Sequence, residues 1–491
     1  MWRVKSLDAI LATAEKKSLH RSLGPVQLTL LGVGAIIGTG IFVLTAAAAQ
    51  KAGPGMMWSF VIAGAVCAVA ALCYSELASM APVSGSAYTY TYAVMGELLA
   101  WMVGWALILE YAVAASAVSV GWSGYVLGLI ENALGFDWPD MLQAGPAWSM
   151  NGWMPSPDFS VGIVNVPAIV VALAVTLLLM IGTTESARVN AALVAIKVAA
   201  LTAFVVLTLP ILNTGNFTPF APNGLFGESS GMGIIGAAAS IFFAYVGFDA
   251  VSTAAEETKN PQRNVPIGLI GSLAICTIFY LLVAAGAVGA IGAQPVVGAA
   301  GEAVQPGSPG FVAACQLAEN ANRLVCSNEA LAHVLREIDY PAVGNALGTA
   351  AMLALPSVIL MMIYGQTRIF FVMARDGLLP EGLSKVHPKW KTPYVVTLFT
   401  GIAVAIAGAL FPVGQLADIS NSGTLFAFFM VSIAVLMLRV KDPNRRRPFR
   451  TPFVWFFAPV SAAGCAFLFW NLPHDAKMVL PIWGGIGLVI Y

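Results

Sequence analysis

The chain has 491 residues, 58% of them hydrophobic and only 10% charged, with a formal net charge of zero and a mean hydropathy of +0.82. This balance is far too apolar for a soluble globule and defines a polytopic membrane protein. With zero net charge and no basic domain set apart, nucleic-acid binding has no support.

Residues 1–25 form a polar, basic lead-in. Within it, residues 6–21 read as a short surface helix with Ser6 at the N-cap and Leu7, Ile10, Leu11 and Ala14 on one face. Lys16, Lys17 and Arg21 then lie near lipid headgroups. The first apolar run is a full span, so no cleavable signal peptide is expected.

That run, Pro25 to Ala49, is long enough to cross a bilayer but is interrupted by Gly32, Gly34, Gly38 and Gly40. Glycine costs about 1 kcal/mol against alanine in a helix interior. Two readings stay open: the glycines permit close helix packing, or they break the helix at mid-membrane and offer its N–H and C=O groups to a small zwitterion.

Further spans are expected near 56–80, 96–130, 163–181, 187–209, 232–255, 264–293, 343–374, 393–412, 419–439, 452–470 and 477–491, making twelve in all. The last is short and stops at Tyr491 without a flanking charge, so the chain is expected to end within its final helix. With the N-terminus in the cytoplasm, the loops on that side hold 19 of the 24 basic residues, and Lys51, Arg323, Arg336 and Lys477 fall outside. The remaining one is Lys197.

Lys197 stands near the middle of the fifth span, too far from either interface for its stem to reach water. Placing a charge there costs about 2.5 to 3.5 kcal/mol on insertion scales. It is either a structural ammonium bonded to carbonyls of a broken helix or a titrating group that takes and releases protons near neutral pH. A second interrupted helix follows at 232–255, with its break at Ala244–Gly247, as far into the sixth span as Gly38 is into the first. Spans one to five (26–209) and six to ten (232–439) thus read as two halves of opposite orientation. Residues 452–491 supply two peripheral helices. Interrupted helices at matching positions of inverted halves point to a transporter's binding site.

Four strings carry a resemblance: GVGAIIGTGIF from Gly32, SIFFAYVGFDAVSTAAEETKNPQRNVPIG from Ser240, PVSGSAYTYTYAVMGE from Pro82 and GQTRIFFVMARDGLLP from Gly365. They closely resemble the amino acid–polyamine–organocation superfamily, and most of all bacterial members of its cationic amino acid transporter family. The resemblance covers nearly the whole chain from about residue 22.

It implies an all-α fold of two inverted five-helix repeats of the leucine-transporter type with broken helices 1 and 6. The substrate carboxylate is then held by the N–H groups of Gly38, Thr39 and Gly40. The substrate ammonium is held by carbonyls of Ile36, Phe242, Phe243 and Val246, with Phe243 as an aromatic gate. Lys197 matches the fifth-span lysine of proton-coupled members, standing where sodium-coupled relatives place a cation between spans one and eight. The resemblance therefore implies proton symport.

Glu110 and Asp249 are membrane carboxylates that the family pattern puts near the substrate cavity, for proton movement or for a cationic side chain. Their alternatives are a tie to helix-break backbone groups or a tyrosine for Glu110, and helix-end hydrogen bonding for Asp249. Glu76, Glu256 and Glu257 sit near cytoplasmic ends as gate or surface charges. Met362 corresponds to a small serine of animal cationic transporters. A methionine there shortens the pocket and favours small neutral amino acids such as alanine, the other reading being an adaptable core methionine.

The outer loop 294–342 contains Cys315 and Cys326, which face the oxidising side and are candidates for a disulfide. Cys67, Cys73, Cys276 and Cys465 read as apolar packing residues. The four histidines, His20, His333, His387 and His474, match no metal spacing, so no metal or cofactor is expected, and no nucleotide or hydrolase motif is present. The expected partners are an amino acid, protons and the bilayer of a bacterial inner membrane, and a small membrane partner is left open. The functional reading is a secondary active transporter rather than an enzyme. Arginine or lysine transport and amino acid exchange are its alternatives, an amino acid sensor is a reading of another class, and a channel lacks any filter or charged ring.

Overall fold

The computed structural model describes residues 23–491 apart from 82–85, 137, 152–153, 160–161, 183–186, 256–257, 321 and 391. The surface helix expected at 6–21 lies outside these residues, as do Glu256 and Glu257.

The first expected span is three helical pieces: α1 (Pro25–Ile36), α2 (Thr39–Phe42) and α3 (Leu44–Ala52). Pro25 opens α1 at a position where its missing N–H costs nothing. The chain continues through α4 (Met56–Met80), α5 (Ser86–Val94) and α6 (Glu97–Leu134), the last stopped by Gly135 in the left-handed region. An antiparallel hairpin, β1 (Ala147–Asn151) with β2 (Met154–Asp158), precedes α7 (Val166–Ile181) and α8 (Ala187–Thr208). The N-cap of α7 is Asn165, whose side-chain oxygen accepts from the Ala168 N–H at 3.0 Å.

The second half begins with α9 (Gly233–Ile241), a tight turn at Phe242–Tyr245 and α10 (Ala250–Thr253), and continues as α11 (Pro261–Ile291). An outer segment with α12 (Pro309–Cys315) and α13 (Ala330–Glu337) leads to α14 (Pro341–Arg375), α15 (Tyr394–Leu410), α16 (Val413–Lys441), α17 (Val454–Trp470) and α18 (His474–Ile490). Helix occupies each region expected to cross the bilayer. Among the described residues, six stretches suffice to cross a membrane by length and apolarity alone: Leu44–Met80, Glu97–Ala133, Val189–Ile211, Pro261–Ile291, Pro341–Arg375 and Val413–Lys441. Four shorter apolar helices accompany them, and α17 and α18 meet at a bend of 112°. The fold is thus a polytopic helical membrane protein.

Two long helices frame the interior. α6 packs along α14 and α16, while α11 packs along α1 and α4. At one interior proline a side chain replaces the lost helix bond: Pro356 cannot donate to the Met352 carbonyl, and the Trp122 indole N–H does so at 2.9 Å. The last helix docks on α6 through stacked indoles, with Trp105 and Trp483 ring centres 4.6 Å apart. Each of these two indole N–H groups donates to the other's carbonyl at 2.7 Å.

In the outer segment Cys315 and Cys326 are bonded, whereas Cys67, Cys73, Cys276 and Cys465 are free and buried. Among the described residues no group of histidine, cysteine or carboxylate side chains is arranged to hold a metal ion.

Candidate functional site

The two helix breaks face each other at the centre of the molecule. α1 ends when Ile37 leaves the helical region (φ −71°, ψ 91°), and its N–H closes the last turn on the Val33 carbonyl at 2.9 Å. α9 tightens through Phe242–Tyr245, after which Val246 is extended and Gly247 has φ +111°, a conformation that favours glycine. A side chain at Gly247 would also lie 3.0 Å from the Ala35 carbonyl oxygen. At Gly40 an added Cβ would stand 2.3 Å from the Ala244 Cα, so the broken helices touch backbone to backbone.

The last carbonyls of α1 have no partner within the helix, and their partners mark out the site. The Lys197 ammonium donates to the Gly34 carbonyl at 2.9 Å and lies 3.5 Å from the Ser357 hydroxyl of α14. A cation at a helix C-terminus also meets the negative end of its dipole. The Tyr280 hydroxyl reaches both the Ile36 carbonyl, at 2.9 Å, and the Ala244 carbonyl, at 2.8 Å. One hydroxyl proton is therefore shared between the carbonyls at the two breaks. Asn421 of α16 donates to the Ala239 and Ser240 carbonyls at 2.8 and 2.9 Å, satisfying the end of α9. The Tyr125 hydroxyl donates to the Phe42 carbonyl at 2.7 Å where α2 stops.

Ile36, Gly38, Gly40, Phe242, Phe243 and Val246 are all buried at this junction, Met362 is buried on α14 one turn beyond Val358, which faces Gly38, and the backbone of Thr39 opens α2. Gly38, Thr39 and Gly40 begin a new helical turn, where the first N–H groups lack an acceptor in their own turn. Two of the carbonyls expected to bind an ammonium already accept bonds: that of Ile36 from Tyr280, and that of Phe243 from the Val246 N–H at 3.1 Å. A carbonyl has a second lone pair, so these bonds narrow the approach of a further donor without closing it. Phe242 packs edge-on against Phe428, with ring centres 5.9 Å apart.

Lys197 is 1% exposed, Asp249 1% and Glu110 0%. An Asp249 oxygen accepts from the Tyr111 hydroxyl at 2.7 Å. Neither Glu110 oxygen has a hydrogen-bond partner among the described residues. The Thr424 hydroxyl near Glu110 donates instead to the Ser420 carbonyl at 3.2 Å. Consecutive residues of α6 thus bring one carboxylic acid and the tyrosine partner of another beside the sixth-span break.

Two polar clusters lie toward the ends of the bundle. Lys51 at the end of α3 is ion-paired to Asp418 of α16 at 2.8 Å and bonded to Ser240 of α9. Next to it, the Gln50 amide donates to the carbonyls of Val296 (2.8 Å) and Val304 (3.0 Å) and accepts from the Val296 N–H (2.9 Å). At the other end Glu76 is buried, accepting from the Arg439 guanidinium at 2.9 and 2.8 Å and from the Thr451 N–H at 2.8 Å, with Arg447 at 3.2 Å. It is not a surface charge. These clusters and Tyr280 escape sequence reading: Lys51 and Asp418 are 367 residues apart and Glu76 and Arg439 are 363, and a tyrosine in an apolar run breaks no pattern.

Gly40 and Gly38 make a direct comparison. Gly40→Ala is expected to cost about 1 to 3 kcal/mol, because backbone must move to admit the methyl group. Gly38→Ala meets only a Val358 methyl at 3.3 Å and is expected to cost less. Thermal unfolding of the two purified variants checks the order.

A family model described as Amino acid permease matches residues 23–490. The chain is 44% identical over 492 residues to the branched-chain amino acid permease BcaP of Bacillus subtilis, covering 100% of this chain and 97% of that protein. It is 38% identical to the methylthioribose transporter of the same organism over 494 residues, again with 100% and 97% covered. To the chloroplastic cationic amino acid transporter 9 of Arabidopsis thaliana it is 34% identical over 432 residues, 87% of this chain and 68% of the relative.

Proposed function

The chain belongs to the amino acid permease family, and from that premise we propose that it is a secondary active transporter taking up small neutral L-amino acids such as alanine together with a proton. In this reading twelve spans form two inverted repeats, 26–209 and 232–439, followed by peripheral helices in 452–491. The N-terminus is cytoplasmic, and the membrane is a bacterial inner membrane.

The observation that carries the proposal is the Lys197 ammonium on the Gly34 carbonyl, one residue pair before the first break. Protonated, Lys197 ties α8 to α1 and to α14. Deprotonated, it loses its charge and with it about 1.5 to 3 kcal/mol of charge-assisted bonding. The site then shifts between two arrangements according to proton occupancy. The N–H groups of Gly38, Thr39 and Gly40 suit a carboxylate, and the carbonyls of Ile36, Phe242, Phe243 and Val246 suit an ammonium. Phe243 is the gate residue, and Glu110 and Asp249 are further proton-handling groups.

The neutral side-chain preference rests on Met362, buried on α14, and draws support from the relative named for branched-chain amino acids. The relatives named for cationic amino acids favour arginine instead, with Asp249 and Glu110 facing its side chain. Uptake of labelled alanine and labelled arginine into proteoliposomes, with and without an inward proton gradient, separates the two. Alanine accumulating with the gradient supports the proposal. Arginine preference overturns the substrate class, and binding without uptake identifies a sensor. Met362→Gly is expected to shift preference toward longer side chains by about tenfold, the effect of one or two methylenes in an apolar pocket. Competition by leucine against labelled alanine reads that shift.

A further inference from the structure

The last turn of α16 and the segment joining it to α17 together hold six basic residues and one acid, Asp442, between Arg439 and Arg450. Four of the six already have partners in the protein. Arg439 and Arg447 converge on the buried Glu76, Lys441 donates to the Val94 carbonyl at 2.9 Å, and Arg445 lies 3.6 Å from Asp442. Arg446 and Arg450 are exposed, and among the described residues neither forms an ion pair.

Immediately beyond them three aromatic rings are bare: Phe453 is 82% exposed, Trp455 66% and Phe456 63%. Phe453 also has a left-handed backbone (φ +39°, ψ 50°), an unfavourable conformation for a large side chain. A strained backbone that holds a ring out of the protein calls for a compensating contact. Aromatic rings at the start of an apolar helix, preceded by uncommitted arginines, match the acyl and headgroup layers of a bilayer surface.

We propose that Arg446, Arg450 and the rings of Phe453, Trp455 and Phe456 form a binding surface for an anionic phospholipid of the leaflet at this end of the bundle. The guanidinium groups hold the phosphate, which Arg can grip with two parallel N–H bonds, and the rings sit among the upper acyl carbons. Through hydrogen bonds from Arg439 and the Thr451 N–H and an ion pair with Arg447, all to Glu76, the lipid-bearing segment is fastened to α4. Uncommitted arginines, rather than basic residues in general, set the preference for a negative headgroup.

Native mass spectrometry of the full chain, released from detergent containing equal amounts of phosphatidylglycerol and phosphatidylcholine, tests the proposal. Wild type is expected to retain phosphatidylglycerol by about thirtyfold, the effect of two surface arginines. The Arg446→Gln/Arg450→Gln variant is expected to lose that preference, while Lys477→Gln, at another surface, keeps it. Phe453→Gly is expected to hold or raise the unfolding temperature in lipid-free detergent, since glycine accepts the backbone, and yet to lower lipid retention. Equal retention by wild type and the double-arginine variant overturns the proposal. So does displacement of the lipid by millimolar inorganic phosphate, which would identify a free-anion site.

Discussion

Replacing Lys197 by alanine is expected to reduce proton-driven accumulation of substrate to plain equilibration across the membrane. A gradient of one pH unit corresponds to about 1.4 kcal/mol, so one proton per substrate sustains accumulation of up to about tenfold. Without the ammonium that ratio falls to one. The variant also leaves the Gly34 carbonyl without the donor at 2.9 Å that now satisfies it, at a cost of about 1 to 3 kcal/mol to this arrangement. Alanine alone does not separate a titrating lysine from a structural cation. Lys197→Arg does, because arginine keeps the charge and does not release its proton. If the lysine titrates, arginine restores binding but not accumulation; if the cation is structural, arginine restores both. Accumulation ratios in proteoliposomes at equal protein content distinguish the two.

The second large effect is expected at Lys51 and Asp418. Both are buried, and their ion pair together with the bond to Ser240 joins the end of α3 to α9 and α16. Removing one partner of a buried pair costs about 3 to 5 kcal/mol, because the other charge is left uncompensated. Opening this end of the bundle to water relieves that cost. Lys51→Met or Asp418→Asn is therefore expected to raise the population opened at this end by a hundredfold or more. Hydrogen exchange within Leu44–Ala52 and around Val296–Val304, which Gln50 stitches together, should quicken accordingly. The double variant Lys51→Met/Asp418→Leu removes both charges and is expected to recover most of the protection. Unchanged exchange in both single variants would mean that the pair does not hold this end closed.

What the sequence makes legible here follows from cost. Lys197, Glu110 and Asp249 stand out because an ionisable group within an apolar span is expensive, and Gly40 and Gly247 stand out because glycine inside a helix is. All five lie within or beside the junction of the two breaks. Their partners are not legible. Nothing in the strand of apolar residues around Tyr280 distinguishes it from a packing tyrosine, yet its hydroxyl reaches the carbonyls at both breaks. Lys51 reads as an ordinary loop charge, and only the fold shows it buried against Asp418. Glu76 reads equally as gate or surface, and its burial under Arg439 and Arg447 settles its place in the fold. Helix positions follow from apolar length, and the break of the first span at Ile37–Gly38 is one of the two readings its glycines leave open, whereas the second interruption, at Val43, has no glycine to mark it and shows only in the fold, where Tyr125 of α6 bonds the Phe42 carbonyl.

Proton movement coupled to substrate through Lys197 is the central claim, and one measurement addresses it directly. A pH-sensitive dye is trapped inside proteoliposomes bearing wild type or Lys197→Arg, and unlabelled alanine is added outside with no imposed gradient. The account predicts that the lumen acidifies in step with alanine entry for wild type, and that Lys197→Arg binds alanine without acidification. Alanine entering through wild type while the lumen pH stays constant would contradict it.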